Sequence, residues 1–167
     1  MKRRAINGES PIVIVDLPRN TESPSSKVIV LAVIPQDRDY EQLRHIFSRS
    51  NWTLHRALSC GEALRYLQKN QTGVLVCASE QPDGTWESLL NRVRTLPSSP
   101  LMIVTSDHAE SSLWADVLNL GAYDVLAKPF DKSEVIRVIS LAWLEWRDDK
   151  ERVARRHVVR MPGDPLT

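Results

Sequence analysis

Two side chains able to grip anionic oxygen stand at the ends of short apolar runs. Thr105 closes the run that begins at Leu101, and Lys128 follows the run that ends at Ala127. A hydroxyl and an ammonium can bind the oxygens of a charged group, but neither is a carboxylate that could accept one. Four acids lie near the ends of earlier runs: Asp37 and Asp39 after residues 28–34, and Glu80 and Asp83 after residues 74–77. Brought into one pocket, such acids could pair the ammonium or ligate a hard cation. Other chemistries find little support. His45, His55, His108 and His157 are scattered without paired zinc spacing, and Cys60 and Cys77 form no Cys-x-x-Cys pair. The chain has no Gly-rich phosphate loop and no Gly-x-Ser-x-Gly elbow. No metal ligand set and no cofactor are expected.

These residues must be positioned by a regular alternation that starts at Lys27. Residues 28–34 are an apolar run of buried-strand length, stopped by Pro35, and Leu43, Ile46 and Phe47 then share one face of a helix. Residues 52–57 form a second strand. Ser59 and Glu62 have the capping-box spacing that opens a helix carrying Ala63, Leu64 and Leu67. Residues 74–77 are a third strand, followed by the Pro82-Asp83-Gly84 turn and a helix bearing Trp86, Leu89, Leu90 and Val93. A fourth strand spans 101–105, with Ser106 and Asp107 as cap candidates for a helix whose stripe is Leu113, Val117 and Leu120. Gly121 fits its C′ position. Residues 123–127 are a short fifth strand, and Asp131 with Glu134 caps the last and longest helix. Five strands alternating with five helices predict a doubly wound α/β domain, a parallel sheet covered by helices on both faces. Ligands of such sheets bind at the carboxyl ends of the strands, where Thr105 and Lys128 stand.

Length and composition fit one compact domain with extensions. The 167 residues are 42% hydrophobic and 26% charged, with a formal net charge of +1. No overall field draws the chain to nucleic acid or an anionic membrane. Residues 1–26 divide into a basic start, a β-like run at 11–15 that ends beside Asp16, and a Ser- and Pro-rich linker. The run is read as an arm or an extra edge strand, because no helix follows it before Lys27. It is too short for a secretory core or for the roughly 20 apolar residues of a membrane span. With two cysteines inside regular elements, the chain reads as a soluble cytoplasmic protein with no membrane partner. The expected divisions are an arm and linker at 1–26, the domain at 27–147, and a helical extension with a flexible tail at 148–167.

The strand ends carry a resemblance. Gly121 to Phe130, ending in Lys128-Pro129-Phe130, resembles the fifth strand of the receiver domains of two-component response regulators. Ile103-Val104-Thr105-Ser106 is similar to their fourth strand, which ends in a switch Thr or Ser. Pro82-Asp83-Gly84 resembles the turn after their third. Three such pieces in order make a specific signal over about 120 residues, excluding both tails. The resemblance implies a flavodoxin-like sheet in strand order 2-1-3-4-5 and a cis Lys128–Pro129 bond.

It also implies a missing chemistry. A working receiver uses a carboxylate nucleophile four residues before the proline of that turn, and two acids after the first strand that hold Mg²⁺. The corresponding positions here are Ala78, Ile34 and Pro35, none of which has an oxygen-bearing side chain. The retained pocket residues are Thr105, Lys128 and Pro129. The resemblance thus describes a degenerate, non-catalytic pseudo-receiver, a stand-alone signalling protein of the phosphorelay type. Glu80 is the expected partner of the Lys128 ammonium, an ion pair imitating an occupied site. The alternative is a true phospho-accepting receiver with an unorthodox acid: Asp37, Asp39, Glu80 or Asp83. Asp37 and Asp39 read more simply as first-turn helix acids, Asp83 as a turn residue, and Thr105 equally as a cap.

With the pocket disabled, function moves to the surface. On the last helix Val135, Ile139, Ala142 and Trp146 recur at helical spacing towards the sheet, leaving Leu141 and Leu144 on the other side. Trp114 and Leu118 flank the stripe of the preceding helix. Receivers dimerise or bind partners through these two helices, so the surplus apolar residues mark a contact surface for a histidine kinase, another regulator or a second copy, unless the tails cover them. The last helix is expected to continue through Arg156. Its basic residues Arg152, Arg155, Arg156, His157 and Arg160 make DNA binding a third, minor reading.

Overall fold

The computed structural model describes residues 27–107 and 111–159. Residues 1–26, with the run at 11–15 and Asp16, lie outside the described residues, as do His108, Arg160 and the remaining tail.

Five parallel strands form the central sheet: β1 (Ile29–Val33), β2 (Thr53–Ala57), β3 (Val74–Ala78), β6 (Leu101–Ser106) and β7 (Asp124–Ala127). Their order is β2-β1-β3-β6-β7, which counted over these five is the expected 2-1-3-4-5. Two further strands, β4 (Glu80–Gln81) and β5 (Gly84–Thr85), make a two-residue antiparallel hairpin outside the sheet. The helices are α1 (Asp37–Phe47), α2 (Cys60–Lys69), α3 (Trp86–Val93), α4 (Ser111–Asn119) and α5 (Lys132–Val159).

Side chains of the central strands alternate between two cores, as strand pleating requires. Leu31, Val33, Leu75, Cys77, Met102 and Val104 face α2, α3 and α4. Val30, Ala32, Val74, Val76 and Ile103 face α1 and α5. Both faces are apolar, so the strands carry continuous hydrophobic runs rather than an alternating pattern.

The caps form as their spacing demands. Glu62 N–H donates to Ser59 Oγ at 3.2 Å, and Glu134 N–H to Asp131 Oδ2 at 2.9 Å. The first turn of α4 adjoins residues outside the described set, so capping by Ser106 or Asp107 falls there. Gly121 has φ +99°, where an L side chain is strained, and a Cβ there would strike the Arg94 guanidinium. That turn also corrects one core residue: α4 ends at Asn119, and Leu120 turns outward to 45% exposure, bonded through its carbonyl to Arg94.

α5 runs for 28 residues, about 42 Å at 1.5 Å per residue. Val135, Ile139, Ala142 and Trp146 are buried, joined by Val138 and Trp143. Gly73, before β3, admits the tryptophans: a Cβ there would lie 2.9 Å from Trp143 Cδ1 and Trp146 Cε3. No described helix is long and apolar enough to cross a membrane.

Candidate functional site

Parallel strands deliver their carboxyl ends to one edge, and there the structure opens a cavity of about 330 Å³. Register sets its walls. Ala78 pairs with Thr105, and Thr105 with Leu126, so the end of β3 lies beside the end of β6 and then β7. Ile34 and Pro35 enter from the β1–α1 loop, and Lys128 from the segment after β7. Ile34, Pro35, Ala78, Thr105 and Lys128 therefore line one cavity, whereas Pro129, expected with them, lines a separate groove with Phe130 against α1. Thr105 is 2% exposed, and Ala78 presents a methyl group beside it. The Lys128–Pro129 bond is cis.

Lys128 does not pair with Glu80. Its Nζ lies 2.6 Å from Asp39 Oδ2 and 3.1 Å from Asp107 Oδ1. The hairpin keeps Glu80 on the rim, exposed and in register with Thr85, whereas the first turn of α1 aims Asp39 inward. The Asp39–Lys128 pair is largely withdrawn from solvent, with side-chain exposures of 15% and 13%. Burial pulls the ammonium pKa down, but hydrogen bonds and charge from Asp39 and Asp107 outweigh it, leaving Lys128 above its ordinary value. The ammonium is already compensated by carboxylates of its own chain.

The other acids go elsewhere. Asp37 is exposed and pairs with Arg56 at 2.9 Å. Asp83 leaves the cavity for the start of α2, accepting from Cys60 N–H at 2.9 Å and Gly61 N–H at 3.0 Å. Those two donors hold its carboxyl below the usual value. Among the described residues no group of three or more His, Cys, Asp or Glu side chains is placed to hold a metal.

Two residues not foreseen from sequence hold the strand ends beside the cavity. Arg56 on β2 donates to Ile34 O and Pro35 O, both at 3.1 Å, and its guanidinium lies 4.5 Å from the centre of the Tyr40 ring. Gln81 Nε2 reaches Val33 O at 2.9 Å and Ala78 O at 3.0 Å. The carbonyls at the ends of β1 and β3 are thus tied by protein side chains. The sequence signal was slight: a lone arginine in a half-buried strand, and an amide in the loop before a turn. The cysteines are inert parts of the neighbouring core. Burial first, then Asp83, pushes the Cys60 thiol up to about 11, and burial drives Cys77 higher still.

Residues 35–140 match the response regulator receiver domain family. The chain belongs to that family. A DNA-binding transcriptional regulator, NtrC of Proteus hauseri, is 26% identical over 131 residues, covering 71% of this chain and 28% of that protein. The chain thus spans about a quarter of the length of the curated relatives it matches. Among solved structures, a response regulator of Chloroflexus aurantiacus is 27% identical with a TM-score of 0.63, covering 68% of this chain and 98% of that one. The receiver domain of an HD domain-containing protein of Pseudomonas fluorescens is 25% identical with a TM-score of 0.69, covering 75% and 93%. The doubly wound fold and the two-component class are those expected from the strand ends.

Proposed function

We propose that this receiver signals without aspartyl phosphorylation, through protein contacts, with the Asp39–Lys128 ion pair in the place that a phosphoryl group and its metal would otherwise organise. The observation that carries the reading is the pairing of a methyl group at Ala78 with a lysine already neutralised at 2.6 Å by Asp39. An acyl phosphate needs a carboxylate beside the hydroxyl and the ammonium, and Ala78 offers none. Mg²⁺ needs oxygen ligands, and Ile34 and Pro35 supply no side-chain oxygen. On this reading the domain is non-catalytic and cytoplasmic. It comprises residues 27–147, with 1–26 and 148–167 as extensions.

The surface reading rests on the edge of the sheet at β7, flanked by α4 and α5. Trp114, Leu118, Leu141 and Leu144 are exposed there, more large apolar side chains than a solvated helix pair needs. They suit a kinase, another regulator or a second copy. DNA binding is named for a relative of which the match covers only 28%, and the interspersed ion pairs of α5 favour no nucleic-acid role here.

One alternative has a specific observation behind it: Asp39 is inside the cavity, as an unorthodox acceptor would be. Incubation with acetyl phosphate and Mg²⁺, read by intact mass, separates the readings. The proposal expects no adduct of about 80 Da. A stable adduct lost in Asp39→Asn would establish the alternative.

A further inference from the structure

The described residues hold a second, larger cavity, at the edge of the sheet where the strands begin. It is a mainly apolar groove of about 660 Å³ between the distal turns of α5 and the loop before β6. Trp146, Val153 and Ala154 form one wall, and Pro97 and Leu101 the other. Val153 is 63% exposed, the most exposed large hydrophobic side chain among the described residues. Nothing in the functional site uses this groove.

The place where the chain enters the fold identifies the occupant. Register sets Val30 beside Val74 and Val74 beside Leu101, so Leu101 stands two strand spacings, about 10 Å, from β1. Val28, just before β1, packs against the same core cluster as Leu101 and Trp146. Residues 1–26 thus join the domain at the edge and on the face where the groove opens. They carry one apolar run, residues 12–15, tethered by residues 16–26. A flexible tether of that length has a root-mean-square span of about 18 Å, enough to reach the groove.

Size and charge also match. Four extended residues measure about 13 Å, and the stripe from Trp146 to Ala154 rises about 12 Å. Residues 12–15 are apolar on both faces, which suits a strand held between two apolar walls. Glu9 and Asp16 bracket the run. At the groove, Asp149 is already paired with Arg152 at 2.6 Å. Lys150, whose ammonium lies 4.8 Å from the Trp146 ring centre, has no carboxylate partner among the described residues. An acid flanking the run supplies one.

We propose that residues 12–15 of the same chain fill this groove as an extended segment, docked on Trp146 and Val153 with Glu9 or Asp16 beside Lys150. Docking there does not depend on what the strand-end cavity binds, so the two can be tested apart.

Nuclear Overhauser contacts in the isotope-labelled full chain read the docking directly. Methyl groups of residues 12–15 are expected against the Trp146 indole, with amide exchange across the run slowed about 10-fold or more. I12D/I14D should abolish both and shift the Trp146 and Val153 resonances, because a carboxylate is costly to bury. Val153→Glu, at an exposed position that the core does not use, should release the run from the other side. Mixing labelled with unlabelled chains decides whose run is bound, and contacts within one chain are expected. Three results would overturn the proposal. One is an unprotected run with no contact to Trp146, which leaves the groove to another protein. The second is protection that comes from pairing with the edge strand β2 and survives Val153→Glu. The third is contacts found only between labelled and unlabelled chains, which would assign the groove to a second copy.

Discussion

Replacing Asp39 by alanine leaves the Lys128 ammonium, 13% exposed, with one remaining carboxylate that is itself 76% exposed. Stripping one partner from a fully buried pair costs about 3–5 kcal/mol, because the other charge stays desolvated. The penalty here is smaller for two structural reasons. Asp107 still lies 3.1 Å from Nζ, and the cavity admits water to the ammonium. A loss of about 1–2 kcal/mol follows, or roughly 0.5–1 M in urea midpoint for a domain of this size. Urea unfolding at pH 7, followed by far-ultraviolet circular dichroism, measures it directly. Lys128→Met added to Asp39→Ala removes the stranded charge and should recover most of the loss. Asp107→Ala alone should cost under about 0.5 kcal/mol, as an exposed partner does. Were Asp39→Ala neutral, or were Lys128→Met unable to rescue it, the ion pair would not be what organises this cavity.

Three further perturbations follow from the packing and the titrating groups. Gly73→Ala pushes a methyl group to within 2.9 Å of Trp143 and Trp146 and should cost about 1–3 kcal/mol in urea unfolding, with altered tryptophan emission. Both thiols should resist Ellman's reagent in the folded chain at pH 8 and react once it is unfolded. Their raised pKa values mean that the unfolded state loses protons first, so stability should fall as pH rises from about 9 towards 11. Lys128, also raised, contributes stability below its ordinary value that disappears further into the alkaline range. Asp83 runs the other way: its lowered carboxyl stabilises the fold above its ordinary value of 3.8 and loses that contribution as pH falls through the folded value, a slope that Asp83→Asn should flatten in acid unfolding.

The central strands were legible because buried parallel strands must be continuously apolar, and 28–34, 74–77 and 101–105 have no other reading as half-solvated elements. Helix starts at Ser59 and Asp131 were legible because a cap is a local interaction between neighbours in sequence. Local signals fail where geometry is set by distant elements. Asp39 and Lys128 are 89 residues apart, and only the rotation of α1 against the segment after β7 decides that Asp39 points in and Asp37 out. Glu80 follows the third strand directly, but a hairpin of two-residue strands is too short to leave any periodicity, and it carries that side chain to the rim. Arg56 and Gln81 act on backbone carbonyls, which no residue-type pattern advertises. Leu120 fitted the helical stripe by spacing, yet the left-handed Gly121 ends the helix before the stripe reaches it.

The claim that the site works without phosphate is tested most directly by offering it the phosphoryl mimic. Titrating Mg²⁺ and then beryllofluoride into the full chain, and following the backbone amides of Ala78, Thr105 and Lys128 by nuclear magnetic resonance, reads the cavity itself. No saturable shift is expected at any of the three, before or after Mg²⁺. Saturable, Mg²⁺-dependent shifts centred on this cavity would contradict it and return the chain to the phospho-accepting receivers.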